Sequence, residues 1–118
     1  MRAPRRQAVA LFSAGFAAAG MFTAPDAHAD QVAYLVNVTV RPGYNFPNAQ
    51  AALAYGYSIC AKIAAGRSYA QLIGDTKADF ATTDEYQASY LTTQAANELC
   101  PQLIWQLRNS AAHYRPPS

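Results

Sequence analysis

The sequence predicts an all-α fold: a small bundle of about four helices closed by one disulfide, following an N-terminal signal peptide. Three observations carry this. The long segments around Cys60 and Cys100 both repeat their apolar residues at helical spacing. Capping signals stand ahead of the apolar runs at Asn48, Ser68 and Thr82. Only one stretch of the chain alternates like a strand, and a single strand has no partner within its own chain.

The signal is read from the first residues. Arg2, Arg5 and Arg6 make a basic start, Ala8 to Ala24 is apolar and uncharged, and Ala27-His28-Ala29 offers a cleavage site before Asp30. Arg5-Arg6 resembles a twin-arginine signal but lacks strongly apolar residues just after the pair, so the general secretory route is favoured. No cysteine precedes Cys60, which excludes a lipid anchor at the cleavage point. The expected product is secreted or held in the cell envelope with no stable membrane anchor. It comprises one helical domain over residues 30–115 and a disordered tail over 116–118.

In that product Arg41, Lys62, Arg67, Lys77, Arg108 and Arg115 balance Asp30, Asp75, Asp79, Asp84, Glu85 and Glu98. The chain's formal charge of +2 therefore belongs to the signal, and nucleic acid is not an expected partner. Cys60 and Cys100 are the only cysteines, and in a small exported domain they are expected to bond to each other. A helical wheel about Cys60 gathers Ala49, Leu53, Gly56, Ile63 and Ala64. One about Cys100 gathers Tyr86, Ser89, Thr93, Ala96, Leu103, Ile104 and Leu107.

Asp30 to Arg41 is the ambiguous element. Its alternation of valines with polar residues favours a strand, while an all-α context favours a helix burying Val32, Leu35, Val36 and Val40; helix is the expectation. Asn48 is then the cap of a helix over Ala49 to Ala65 that stops at Gly66. Ser68 to Gln71 has capping-box spacing and opens a third helix with Tyr69, Leu72, Ile73, Thr76 and Phe80 inside. A second such box at Thr82 to Glu85 opens a fourth helix running from Thr83 to at least Cys100. Pro101 bends the chain, which would let Trp105 join Leu103, Ile104 and Leu107 on the core. Tyr114 onward is expected to fray.

With these residues in place, the chain resembles a family of small exported mycobacterial proteins, domain of unknown function 732. The resemblance rests on the export signal, Pro47-Asn48 ahead of Ala52-Leu-Ala-Tyr-Gly-Tyr-Ser-Ile-Cys60, Ala64-Ala-Gly66-Arg-Ser68, Thr82-Thr83, and Ala95-Ala-Asn-Glu-Leu-Cys100-Pro101. It covers roughly Asp30 to Pro101. The resemblance implies a small helical domain with one disulfide and implies no reaction.

Candidates for catalysis are few. His113 is the only histidine beyond the signal, both thiols are committed, and no phosphate loop or metal-ligand cluster occurs; no cofactor or metal is expected. Asp75, Asp79, Asp84 and Glu85 are the acids that a small carboxylate-dependent secreted enzyme would use, and this is the alternative. The favoured expectation is a non-enzymatic binding module for an envelope component, another protein or a small apolar ligand. All eight tyrosines lie beyond residue 30, and Tyr55, Tyr57, Tyr90 and Trp105 are the expected contact residues.

Overall fold

The computed structural model describes residues 29–117. The predicted signal segment, apart from Ala29, lies outside the described residues. Five α-helices follow in order: α1 (Gln31–Thr39), α2 (Ala49–Ala64), α3 (Tyr69–Asp79), α4 (Glu85–Leu99) and α5 (Ile104–Ser110). A 3-10 turn, Pro101–Leu103, joins the last two. No strand occurs among the described residues.

Helix α4 is the central element, packed against α1, α2, α3 and α5. Its buried positions are Ala88, Leu91, Thr92, Ala95, Ala96 and Leu99, and the three alanines let neighbouring helices approach closely. The two buried threonines are satisfied locally, Thr92 by the Ala88 carbonyl at 3.0 Å and Thr76 by that of Leu72 at 2.9 Å. Neither leaves an unpaired polar group inside.

The ends of the helices follow the local signals. The Asn48 side chain accepts from Ala51 N–H at 2.8 Å. Ser68 and Gln71 form a reciprocal capping box, and α3 buries Leu72, Ile73 and Thr76 with Tyr69 and Phe80 half-buried beside them. Gly66 takes φ +95°, the left-handed conformation that ends a helix and suits glycine. The Thr82 box does not form. Asp84 caps α4 instead, accepting from Tyr86 and Gln87 N–H, while the Thr82 hydroxyl accepts from Asp84 N–H at 3.0 Å. Two adjacent oxygens compete for one helix start, and the carboxylate, with its full charge at the positive end of the dipole, takes it.

Helix α1 corrects the expected face. It is a helix, but Tyr34 and Val38 are its buried residues, with Leu35 half-buried against the core, and Val32, Val36 and Val40 point outward. The cause is the fit of Tyr34. Its hydroxyl donates to the Ala52 carbonyl at 2.8 Å, and its ring lies against Gly56, where a Cβ would sit only 2.7 Å from Tyr34 Cζ. A second contact would be still closer, 2.5 Å to Leu99 Cδ1. Gly56 is therefore the notch in which α1 and α4 both meet α2. The Tyr34 hydroxyl, bound in this dry setting, has its ionisation pushed far up by burial.

Next to the notch, Cys60 and Cys100 are bonded with Cα atoms 6.0 Å apart. Closing a loop of 40 residues contributes about 4 kcal/mol on the chain-entropy model. Cys100 stands just beyond the last residue of α4, at φ −144°, so the wheel drawn about it does not continue the helix. Consequently Tyr86 is exposed rather than inside, and the true inner face runs through Ala88, Leu91 and Ala95.

After the turn at Pro101, Leu107 is buried and Leu103 and Ile104 are half-buried, whereas Trp105 is 66% exposed and does not reach the core. Helix α5 is fastened by polar contacts: Gln106 donates to the Ile63 carbonyl near the end of α2, and Ser110 Oγ accepts from Tyr69 N–H at 2.9 Å. Tyr114 is not frayed. Its ring stands edge-on to Tyr69 at 5.0 Å, and its hydroxyl donates to Glu85 at 2.6 Å.

Charged side chains secure the connections. Asp75 accepts from Arg67 through two bonds of 2.6 and 2.7 Å and from Lys62 at 3.3 Å, tying the α2–α3 turn to α3. These hydrogen bonds, led by those of Arg67, hold its carboxyl below the usual range despite partial burial. Burial pushes the Glu85 carboxyl up, but Lys77 and the Tyr114 hydroxyl outweigh it, and the net shift is downward.

Gly56→Ala should lose about 1–2 kcal/mol net, overpacking outweighing the gain in helix propensity, and melt several degrees lower. Gly74→Ala, where a Cβ meets nothing within 4 Å, should be neutral or stabilising by up to about 1 kcal/mol. Depressed carboxyl pKa values in the folded state contribute stability above the unfolded value near 4, and that stability is lost as pH falls through the folded values. Melting temperature should therefore drop as the solution is acidified below about pH 4, and Asp75→Asn should flatten that drop.

Candidate interaction surface

Between Gln31 and Val40 the chain carries no ionisable residue other than the buried Tyr34. Folded as a helix, this segment has two apolar faces. The inner one is spent on Tyr34 and Val38. The outer one presents Val32, Val36 and Val40 at 71, 53 and 72% exposure, a ridge at i, i+4 and i+8. The Thr39 hydroxyl beside this ridge is turned onto the helix's own backbone, donating to the Leu35 carbonyl at 2.6 Å.

Tyrosines from the two neighbouring helices border the ridge. On the α2 side Tyr57 is 38% exposed, and its hydroxyl accepts from Gln31 Nε2 at 3.1 Å. On the α4 side Tyr86 is 60% exposed, and the Arg41 guanidinium lies 5.0 Å from its ring centroid and 4.5 Å from that of Tyr90. Five of the six large apolar side chains exposed among the described residues thus lie on or beside α1; Trp105 is the sixth. Isolated exposed valines are ordinary, but a row of them bordered by tyrosines is a contact surface in composition.

The predicted contact residues divide. Tyr57 borders the valine ridge. Tyr90 is half-buried next to Arg41, its hydroxyl donating to the Asn37 carbonyl at 3.2 Å. Tyr55 faces the other way, within a cluster of Tyr44, Phe46 and Phe80 whose ring centroids lie 5.2 to 6.1 Å apart, and its hydroxyl donates to Asp79 at 2.8 Å. Its ring is part of the packing. Trp105 stands on α5 with Arg108 over it at 5.0 Å. Sequence reasoning assigned Val32, Val36, Val40 and Tyr86 to the interior, and the structure exposes all four. The signal that could have found them was the alternation itself, since a helix with valine on both sides reads like a strand.

The carboxylates considered for catalysis all have structural partners. Asp75 is held by Arg67 and Lys62, Asp79 by Tyr55, and Glu85 by Lys77 and Tyr114, while Asp84 caps α4. The shift of the Tyr114 phenol to about 12, from burial and then Glu85, reflects the same pairing. His113 is exposed. A separate open groove of about 380 Å³ lies between α4, α5 and Tyr114, with Tyr69, Ile104 and Leu107 on its walls and Thr93, Asn97 and Arg108 among its polar groups. No helix among the described residues is long and apolar enough to cross a membrane.

No curated protein and no solved structure matches the chain. One family model does, the protein of unknown function DUF732, over residues 29–102. That span holds α1 to α4, the Gly56 notch, both cysteines and the valine ridge; α5 and Tyr114 lie beyond it. With well over half of its length accounted for in this way, the chain belongs to the DUF732 family.

Proposed function

We propose that the protein is an exported, non-enzymatic interaction module whose contact surface is the outer face of α1 with Tyr57 and Tyr86. The observation that carries this reading is the uncharged ridge of Val32, Val36 and Val40. Covering three valines that are half or more exposed is worth on the order of 3–5 kcal/mol before the cost of association. A small domain gains nothing in its own stability by leaving them in water.

Export is supported by the basic start, the uncharged run and Ala27-His28-Ala29, and by a disulfide that suits an oxidising compartment. The alternative, an enzyme built on Asp75, Asp79, Asp84 or Glu85, is disfavoured by the structural tasks these acids already perform.

Chemical cross-linking in the host's exported fraction tests the reading. The wild-type protein should give an adduct of higher mass, whether with a second copy or another partner. Val32→Ser, Val36→Ser and Val40→Ser together should abolish it while leaving the helical circular dichroism unchanged. Trp105→Ala should retain it. An adduct that survives the triple change would contradict the assignment of this face.

A further inference from the structure

We propose that the occupant of the α1 face is a second copy of the chain, in an antiparallel α1–α1 pair centred on Val36. This rests on the contact surface just described and goes beyond it by naming the partner. Val32, Val36 and Val40 form one ridge with Val36 in the middle. A two-fold axis crossing α1 at Val36 sets that residue against its own copy and Val32 against Val40, so the ridge meets itself.

The ridge carries no charge, but Asp30 stands at its N-terminal end and Arg41 at its C-terminal end. Among the described residues neither forms an ion pair. In the exported form Asp30 carries an α-ammonium as well as its carboxylate, so that end is close to neutral; an antiparallel pair sets each Arg41 against this end of the other copy and opposes the two helix dipoles favourably. A parallel pair would set Arg41 against Arg41. An anionic lipid surface would instead call for a collar of basic residues, and Arg41 is the only basic side chain at the ridge.

The size of the face limits the strength of the pair. A helix of nine residues is about 14 Å long. A pair joined through so short a helix, even with Tyr57 and Tyr86 added, belongs with the small interfaces, at or below the roughly 1,200 Å² that the two partners of a stable complex bury together. The dimer is therefore weak and reversible.

Sedimentation analysis of the purified exported protein over a range of concentrations tests the pairing. Wild type should pass reversibly from monomer to dimer. Val36→Glu and Val36→Lys alone should each weaken dimerisation at least about tenfold, since like charges then meet on the axis. An equimolar mixture of the two should recover it, the glutamate of one copy meeting the lysine of the other. Because Val36 is 53% exposed, circular dichroism should be unchanged. Should either variant misfold, Val32→Glu combined with Val40→Lys in one chain replaces them, and only an antiparallel pair keeps that variant dimeric.

A wild type that stays monomeric at every concentration would overturn the second copy as occupant. The wider reading would then be judged separately, by whether the triple serine variant still loses an adduct whose mass is not twice the monomer's. A dimer indifferent to Val36→Glu, or one not recovered in the mixture, would overturn the proposal by placing the interface elsewhere.

Discussion

The placement of Tyr34 against Gly56 is the constraint on which the rest of the structure depends. A phenol ring fits there only because α2 lacks a Cβ at that point, and its hydroxyl finds the Ala52 carbonyl one turn earlier. Leu99 closes the same notch from α4, and Asp30 N–H donates to the Glu98 carbonyl, so the start of α1 is fastened to the end of α4. The disulfide adds a covalent link one turn from the notch, between Cys60 and Cys100. Three helices thus converge on one small volume, and the rotation of α1 about its axis is fixed there. Once Tyr34 is inside, Val32, Val36 and Val40 have nowhere to go but out.

The polar residues show a similar division of labour. Arg67, Lys62 and Asp75 fix one turn, Lys77, Glu85 and Tyr114 fix the last segment, and Asp30, Asn48, Ser68 and Asp84 cap helices. Tyrosines that sequence composition would offer to a partner are partly consumed in this way, Tyr44 and Tyr55 by the aromatic cluster and Tyr34 by the notch. The surface chemistry not needed to hold the fold together is concentrated on α1 and its borders. That is why the functional reading moves from tyrosines spread over the chain to a single helix face.

How much of this was legible in the sequence depends on whether the deciding interaction is local. Asn48, the Ser68–Gln71 box and Gly66 act within a few residues of themselves, and they mark the observed ends. The inner face of α3 was read correctly because its polar side is unambiguous. Helix α1 was not, because valines and a tyrosine compete for the interior and only a glycine more than twenty residues away decides between them. The wheel about Cys100 misled because it carried helical periodicity past the residue where the helix stops. Tyr114 escaped for a related reason: Glu85 and Tyr69, which hold it, are distant in sequence and carry no local mark. The outer valines were visible as alternation, but periodicity alone could not say that both faces of a helix were being described.

The most direct measurement is solvent access at the valine methyls, because residues 30–118 contain four valines and all lie at 32, 36, 38 and 40. In methyl NMR spectra with a soluble paramagnetic agent, dilute protein should show Val32, Val36 and Val40 strongly broadened and Val38 protected. At high concentration all three should become protected together, Val36 most completely, as the residue on the proposed axis. Protection of Val36 with broadening of Val38 in the dilute sample would show α1 turned the other way, and the account of Tyr34, Gly56 and the exposed ridge would fail together.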